Sequence, residues 1–210
     1  MKFKDRVDAG QQLAEQLSRY KNIDDVVVLG LSRGGVVTAH AVAEALHLPL
    51  DVMVVKKIGS PSNDDLAVGA LTAGGTTYFN KSVMEKYGIT VENLVPIIEK
   101  AQEEVARRLK VYRDALPARN YMNKTVIVID DGMVTGSTMQ AAILSLKNLG
   151  AKKVVIAVPV SSAHALRELK AGVDEVLCLY ESDTVLGVSQ FYDSCESVTD
   201  DEVVALLGND

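Results

Sequence analysis

The sequence predicts an α/β fold: a mainly parallel, twisted sheet with helices on both faces, plus a small hood-like segment at the C-terminal end. Three observations predict it. Short apolar runs rich in β-branched residues alternate with longer stretches of helical period, the order that yields a parallel sheet with right-handed crossovers. The run Val126–Ile129 is apolar without alternation, which suits a strand covered on both faces. The chain has 210 residues, enough for one such domain with an appendage and a substantial core.

The elements follow in order. Val7, Leu13, Ala14 and Leu17 recur at helical spacing, so Asp5–Tyr20 reads as an amphipathic helix lying on the sheet. Asp25–Leu31 is a strand, Val36–Leu46 an Ala- and Val-rich helix, and Leu50–Lys56 a second strand. The polar stretch Gly59–Asp65 holds few groups that could anchor it in a core and reads as a mobile loop. Leu66–Leu71 and Thr76–Phe79 make a short antiparallel hairpin around Gly74 and Gly75. Leu94, Ile97, Ile98, Ala101, Val105 and Leu109 line one face of a long surface helix over Thr90–Arg113, with Pro96 in its first turns. Strand Thr125–Asp130 and helix Ser137–Leu149, with Gly150 just beyond, open a repeat that strand Lys153–Val160, helix Ser162–Lys170 and strand Glu175–Tyr180 continue. Residues 1–180 thus form the core, including the helical segment at about 90–114, and residues 181–210 the hood or tail, with a short helix near Asp200–Leu207.

Composition narrows the function. Lys and Arg total 22 against 28 Asp and Glu, a net charge of −6, so no general attraction to nucleic acid or an anionic membrane is expected. The first residues lack an apolar leader core, and no stretch reaches the roughly 20 apolar residues of a spanning helix. Cys178 and Cys195 are the two cysteines, at a spacing that suggests neither a disulfide scaffold nor a metal site, so a reducing, cytoplasmic compartment is expected.

The chemistry concentrates in VIVIDDGMVTGST, Val126–Thr138. Asp130 and Asp131 stand at the carboxyl end of a strand, where open α/β sheets bind ligands. Val134, Thr135, Gly136, Ser137 and Thr138 then lead into a helix, offering backbone N–H groups and hydroxyls to an anion at its positive end. Two acids beside an anion cradle suit a phosphorylated sugar. A second strand-to-helix turn, Ser32-Arg33-Gly34-Gly35, offers the same kind of amides, glycines that permit close approach, and a guanidinium that can bridge phosphate oxygens.

Four apolar residues, two acids, a short stretch and Thr-Gly-x-Thr resemble the phosphoribosyl diphosphate (PRPP) signature of the type I phosphoribosyltransferases. The order LGLSRGG, VVKKIGSPSNDDLAVGA, ARRLKVYRDALP, VIVIDDGMVTGST and FYDSCESVTDDEV extends the resemblance over nearly the whole chain, to a little-characterised branch of predicted phosphoribosyltransferases. The resemblance implies an Mg²⁺-dependent transfer of the 5-phosphoribosyl group from PRPP to a nucleobase-like acceptor with release of pyrophosphate. It assigns Asp130 and Asp131 to the ribose hydroxyls, residues 134 to 138 to the 5-phosphate, and Ser32–Gly35 to pyrophosphate, often through a cis peptide bond not preceding proline. Lys57 or Lys56 would neutralise pyrophosphate, and Gly59–Asp65 would take the place of the catalytic flexible loop. Mg²⁺ would be held by PRPP and water with no direct protein ligand, and a homodimer is implied.

The acceptor is unidentified. Enzymes of this family that use 6-oxopurines carry an acid four positions after the first signature acid, and here Val134 stands there, which disfavours hypoxanthine and guanine. Phe191 and Tyr192 are candidates to stack on an acceptor ring, with ordinary packing of the tail as the alternative. The competing class is a non-catalytic PRPP or nucleotide sensor acting through a protein partner.

Overall fold

The computed structural model describes residues 2–170 and 172–208. Along the chain, α1 (Arg6–Gln16), β1 (Val26–Leu31), α2 (Gly34–Leu46) and β2 (Leu50–Met53) open the fold. The strands β3 (Val55–Ser60), β4 (Asn63–Thr72) and β5 (Thr77–Phe79) come next, then helices α3 (Lys81–Tyr87) and α4 (Val91–Ala115). The α/β repeat resumes with β6 (Thr125–Ile129), α5 (Ser137–Asn148), β7 (Lys153–Ser162), α6 (Ala163–Lys170) and β8 (Glu175–Ser182), and α7 (Asp200–Leu207) follows in the tail.

Five strands form a wholly parallel sheet in the order β2-β1-β6-β7-β8. Alternate side chains go to opposite faces. Val26, Val28, Ile127, Ile129 and Val155 meet α1 and α2 through Leu13, Leu17, Ala39 and Val42. Val27, Leu29, Val126, Val128 and Ile156 meet α5 and α6 through Met139, Ala142, Leu146 and Leu166. A fully buried aliphatic side chain contributes about 1.5–3 kcal/mol, so the centre of the sheet is the anchor of the domain. β1 and β6 pair in register from Val26 with Thr125 to Gly30 with Ile129. The two segments that leave these strands therefore emerge side by side at the carboxyl edge.

Two expectations are corrected. Leu50–Lys56 is not one strand: β2 stops at Met53, opposite Leu31 at the end of β1, and the chain passes through Val54 into a separate three-stranded sheet, β3-β4-β5. β2 is an edge strand whose last bond to the neighbouring chain is Ser32 N–H to Met53 O at 3.1 Å, and past Val54 the backbone of β3 finds its hydrogen bonds in β4. No turn residue marks the switch. Gly59–Asp65 is not a long loop either, because β3 runs to Ser60 and β4 starts at Asn63, with Pro61 and Ser62 at the tip. Asn63, Asp64 and Asp65 are exposed while Gly59 pairs with Ala67 and Ser60 with Asn63, with register shifts on either side of Gly59.

The antiparallel pairing of β4 with β5 follows the expected hairpin. Helix α3 has no counterpart in the sequence reading, although Asn80 caps it by accepting from Val83 N–H at 3.1 Å and Gly88 ends it in the left-handed region. Helix α4, about 37 Å long at 1.5 Å per residue, buries Leu94, Ala101, Val105 and Tyr112. Val203 and Leu207 of α7 join the core that α4 covers. Phe3 pairs with Tyr192 in a short parallel bridge, fastening the two end segments of the described chain to each other.

Candidate active site

The acid pair sits where β6 ends. Met133 and Val134 are braced by the neighbouring strand: Met133 N–H donates to Val160 O at 2.9 Å, and Ser162 Oγ donates to Val134 O at 2.7 Å. The turn then reaches Gly136, whose φ of 73° lies in the left-handed region that favours glycine. Helix α5 starts at Ser137, and its first intrahelical bond is Gln140 N–H to Gly136 O at 2.9 Å. The amides of residues 137 to 139 lie ahead of that ladder, as at any helix start, and that of Ser137 donates to Thr135 Oγ1 at 3.5 Å.

The Ser32–Gly35 turn lies directly against the acids. A methyl group on Gly34 would lie 2.1 Å from Asp131 Oδ2, and one on Gly35 would lie 2.8 Å from Asp130 Cα. Only glycine allows this approach. Helix α2 begins at Gly34, so its amino end also points at the acids, and the Ser32–Arg33 peptide bond is cis. Ser32 Oγ is buried without a hydrogen-bond partner, and Arg33 makes no ion pair among the described residues.

The two carboxylates differ electrostatically. Burial, with the Asp131 carboxylate beside it, pushes the Asp130 carboxyl well above the usual aspartate range, while Asp131 N–H donates to its Oδ1 at 2.9 Å. Asp131 has a cation: Arg6 Nε donates to its Oδ2 at 2.8 Å, and the two side chains are 14% and 16% exposed. Burial opposes the charge of Arg6, but the pairing with Asp131 outweighs it and holds the guanidinium above its ordinary pKa. Arg6 Nη1 donates to Glu196 O at 2.8 Å, and the Tyr192 hydroxyl donates to Asp131 O at 2.7 Å.

Asp130, Asp131, Ser32–Gly35 and residues 134 to 138 are thus brought to one edge. The aromatic pair is not free to stack. Phe191 and Tyr192 are 8% and 3% exposed, their rings against Tyr180 and Phe3 at centroid distances of 5.6 and 5.5 Å. Both rings close a small core with Phe3, Ala9, Val160 and Val185. Lys56 and Lys57 border a groove of about 790 Å³ between the β3–β4 hairpin and α4, which contains neither the acids nor the Ser32–Gly35 turn. Alternation along β3 puts Lys56 on the Ile58 side, toward α4, and Lys57 on the Val55 side, toward α5.

Three contributors escaped the sequence reading. Arg6 lies 125 positions from Asp131, and nothing local distinguishes it from the wet face of a helix. Tyr192 acts through its hydroxyl instead of its ring face. Ser162 was readable as a helix cap, since its Oγ accepts from Ala165 N–H at 3.0 Å, but its bond to Val134 was not.

No group of three or more His, Cys, Asp or Glu side chains is arranged to hold a metal among the described residues. Two carboxylates with amide cradles on either side fit an Mg²⁺ ion carried by phosphate and ribose oxygens and water, the mode this hard cation favours over a protein cage.

A family model for the phosphoribosyl transferase domain matches residues 2–194. Two Mycobacterium tuberculosis proteins, one from each of two strains and both provisionally named phosphoribosyl transferases, are 37% identical over 205 residues, 98% of this chain and 46% of theirs. The chain therefore spans about half the length of these curated relatives. A crystal structure of a Thermus thermophilus protein is 35% identical with a TM-score of 0.82, covering 100% of this chain and 99% of that one. A Neisseria gonorrhoeae protein of 15% identity, solved with bound ppGpp, superposes with a TM-score of 0.51 over 100% of this chain and 94% of that one, a likeness of fold alone.

Proposed function

The chain belongs to the phosphoribosyl transferase domain family, and from that premise we propose that it transfers the 5-phosphoribosyl group of PRPP to a small, nucleobase-like acceptor, releasing pyrophosphate. The observation that carries the reading is the contact between the two turns: glycines at 34 and 35 let an anion-binding loop close onto an acid pair that an independent phosphate turn adjoins. A lone Asp pair after a strand would need no such fit.

Each chain segment has a role in this reading. Asp131 N–H occupies one oxygen of Asp130 and Arg6 one oxygen of Asp131, leaving the second oxygen of each acid for a ribose hydroxyl. The amides and hydroxyls of Thr135, Ser137 and Thr138, with the positive end of α5, hold the 5-phosphate. Ser32, Arg33 and the α2 amides take pyrophosphate, with Lys57, on the α5 side of the hairpin, as the further cation. In the transfer the bond from C1 to the pyrophosphate oxygen breaks, the electron pair leaves with pyrophosphate, a C1–N bond forms, and the acceptor nitrogen gives its proton to the departing pyrophosphate or to water. Positive charge built up at C1 resembles that of glycosyl transfer, and the neighbouring carboxylates favour it. Mg²⁺, when bound with PRPP, would neutralise the departing diphosphate. The tail from residue 181 serves as the hood, and a homodimer in a reducing cytoplasm is the working assembly.

Val134, where the 6-oxopurine enzymes carry a base, supports an acceptor whose nitrogen needs no side-chain base. It also favours the second reading, a sensor that binds PRPP without turnover. The test is calorimetric PRPP titration with Mg²⁺, followed by pyrophosphate release against a panel of nucleobases. Turnover with any base supports the transferase. Tight binding with no turnover selects the sensor, and no PRPP binding removes both.

A further inference from the structure

We propose that Arg6 is a positioning residue for PRPP, clamping the second signature carboxylate between the first helix and the C-terminal tail so that its remaining oxygen is fixed for the ribose. This inference rests on the reading of the site given above.

The argument starts from where Arg6 stands. It is the first residue of α1, at the positive end of the helix dipole, and its side chain is largely removed from water. Both conditions disfavour a cation. What offsets them is a forked contact that only a guanidinium can make: Nε to Asp131 Oδ2 and Nη1 to Glu196 O, each at 2.8 Å. A methyl group on Gly34 would lie 2.9 Å from the same Nε, so the contact is also wedged against the pyrophosphate turn. The fork thus touches the acid, the turn and the tail. Arg6 reaches the substrate only through Asp131.

The titratable groups facing Asp131 are Arg6 from α1, Asp130 from the end of β6, and Tyr192 and Cys195 from the tail. Arg6 is the cation among them. Removing it leaves two adjacent carboxyls without their counterion, and the Asp130 carboxyl, already raised by burial, loses the cation that holds it down.

PRPP titrations at pH 5 to 8, in the presence of Mg²⁺, on the unaltered chain, Arg6→Gln, Arg6→Lys and Tyr192→Phe test this. Arg6→Gln is expected to weaken binding about tenfold near pH 7.5, the worth of one charge-assisted hydrogen bond, and to move the acid limb of the affinity profile to higher pH. Arg6→Lys, which keeps the charge and loses the fork, restores the acid limb and only part of the affinity. Tyr192→Phe leaves the limb in place. An Arg6→Gln profile identical to the unaltered one overturns the proposal, as does a loss equal to that of Tyr192→Phe with no movement of the limb. If Arg6→Gln does not fold, Arg6→Lys decides: full affinity overturns the fork, reduced affinity with an unmoved limb supports it. Failure of the unaltered chain to bind PRPP at any pH would instead strike the underlying reading, and shows before any substitution is made.

Discussion

Two aspartates in this molecule have similar surroundings and opposite fates. Asp51, in the middle of β2, is fully buried, and both oxygens are taken: Oδ1 accepts from Arg113 Nη1 at 2.7 Å and Val52 N–H at 2.7 Å, Oδ2 from the Tyr121 hydroxyl at 2.5 Å and Arg119 N–H at 3.3 Å. Asp131, just past the end of β6, also has an arginine and a tyrosine beside it. Its tyrosine, however, binds the main-chain oxygen and its arginine takes one carboxylate oxygen. The first site is saturated and ties α4 and the following connection to the sheet. The second keeps acceptor capacity in hand. Incomplete satisfaction, more than the presence of a paired acid, distinguishes Asp131 from the structural Asp51.

The largest contrast should come from removing the signature acids. Asp130→Asn with Asp131→Asn is expected to lower PRPP affinity by at least about a hundredfold, since two hydrogen bonds to charged acceptors are worth about 1.5–3 kcal/mol each. Cooperative unfolding should persist. Retained affinity in calorimetry breaks the comparison from the functional side.

Asp51→Ala should do the reverse. It strands the Arg113 guanidinium and the Tyr121 hydroxyl, and a buried pair broken from one side costs about 3–5 kcal/mol. Urea denaturation should show that loss, while the folded fraction still binds PRPP. Stability within about 1 kcal/mol of the unaltered chain would show that Asp51 is not the staple its geometry suggests.

Asp130→Asn alone sharpens the point. A carboxyl whose folded pKa is raised binds its proton more tightly in the folded chain, so its contribution is present at low pH and is lost as pH rises through the folded value. Asparagine removes that loss. The variant should therefore melt above the unaltered chain at pH 7.5, with the gap closing toward the ordinary aspartate value of 3.8, while PRPP binding falls. A lower melting temperature at pH 7.5 would mean that the buried acid supports the fold. The smallest effect belongs to Tyr192→Phe, which keeps the ring on Phe3 and deletes the hydroxyl bond to Asp131 O, a loss of about 1 kcal/mol in urea denaturation.

The sheet and both strand-to-helix turns were legible because their signals are local. A β-branched run, a following acid or glycine and a helix start lie within a dozen residues of one another, as in Val126–Thr138 and Asp25–Leu46. The β2-to-β3 switch was hidden because Val54 is as apolar as its neighbours, and what ends β2 is the length of β1, a property of another segment. Gly59–Asp65 misled because polarity reports where side chains go, whereas a hairpin is closed by the backbone. Arg6 was invisible for the same reason at longer range: its partner is set by how α1 crosses the sheet edge. Phe191 and Tyr192 were rightly singled out as notable, but whether a ring packs inward or receives a ligand depends on what else the tail can bury.

The fork of Arg6 joins residues 190 positions apart, and Tyr192 reaches back 61 to hold the main chain of Asp131. A ribosome that has released the sheet and both glycine turns, but still holds residue 192 in its exit tunnel, carries a chain whose acid pair lacks these two fasteners. The acid pair is therefore completed only after residues 192 to 196 emerge, later than the sheet on which it stands.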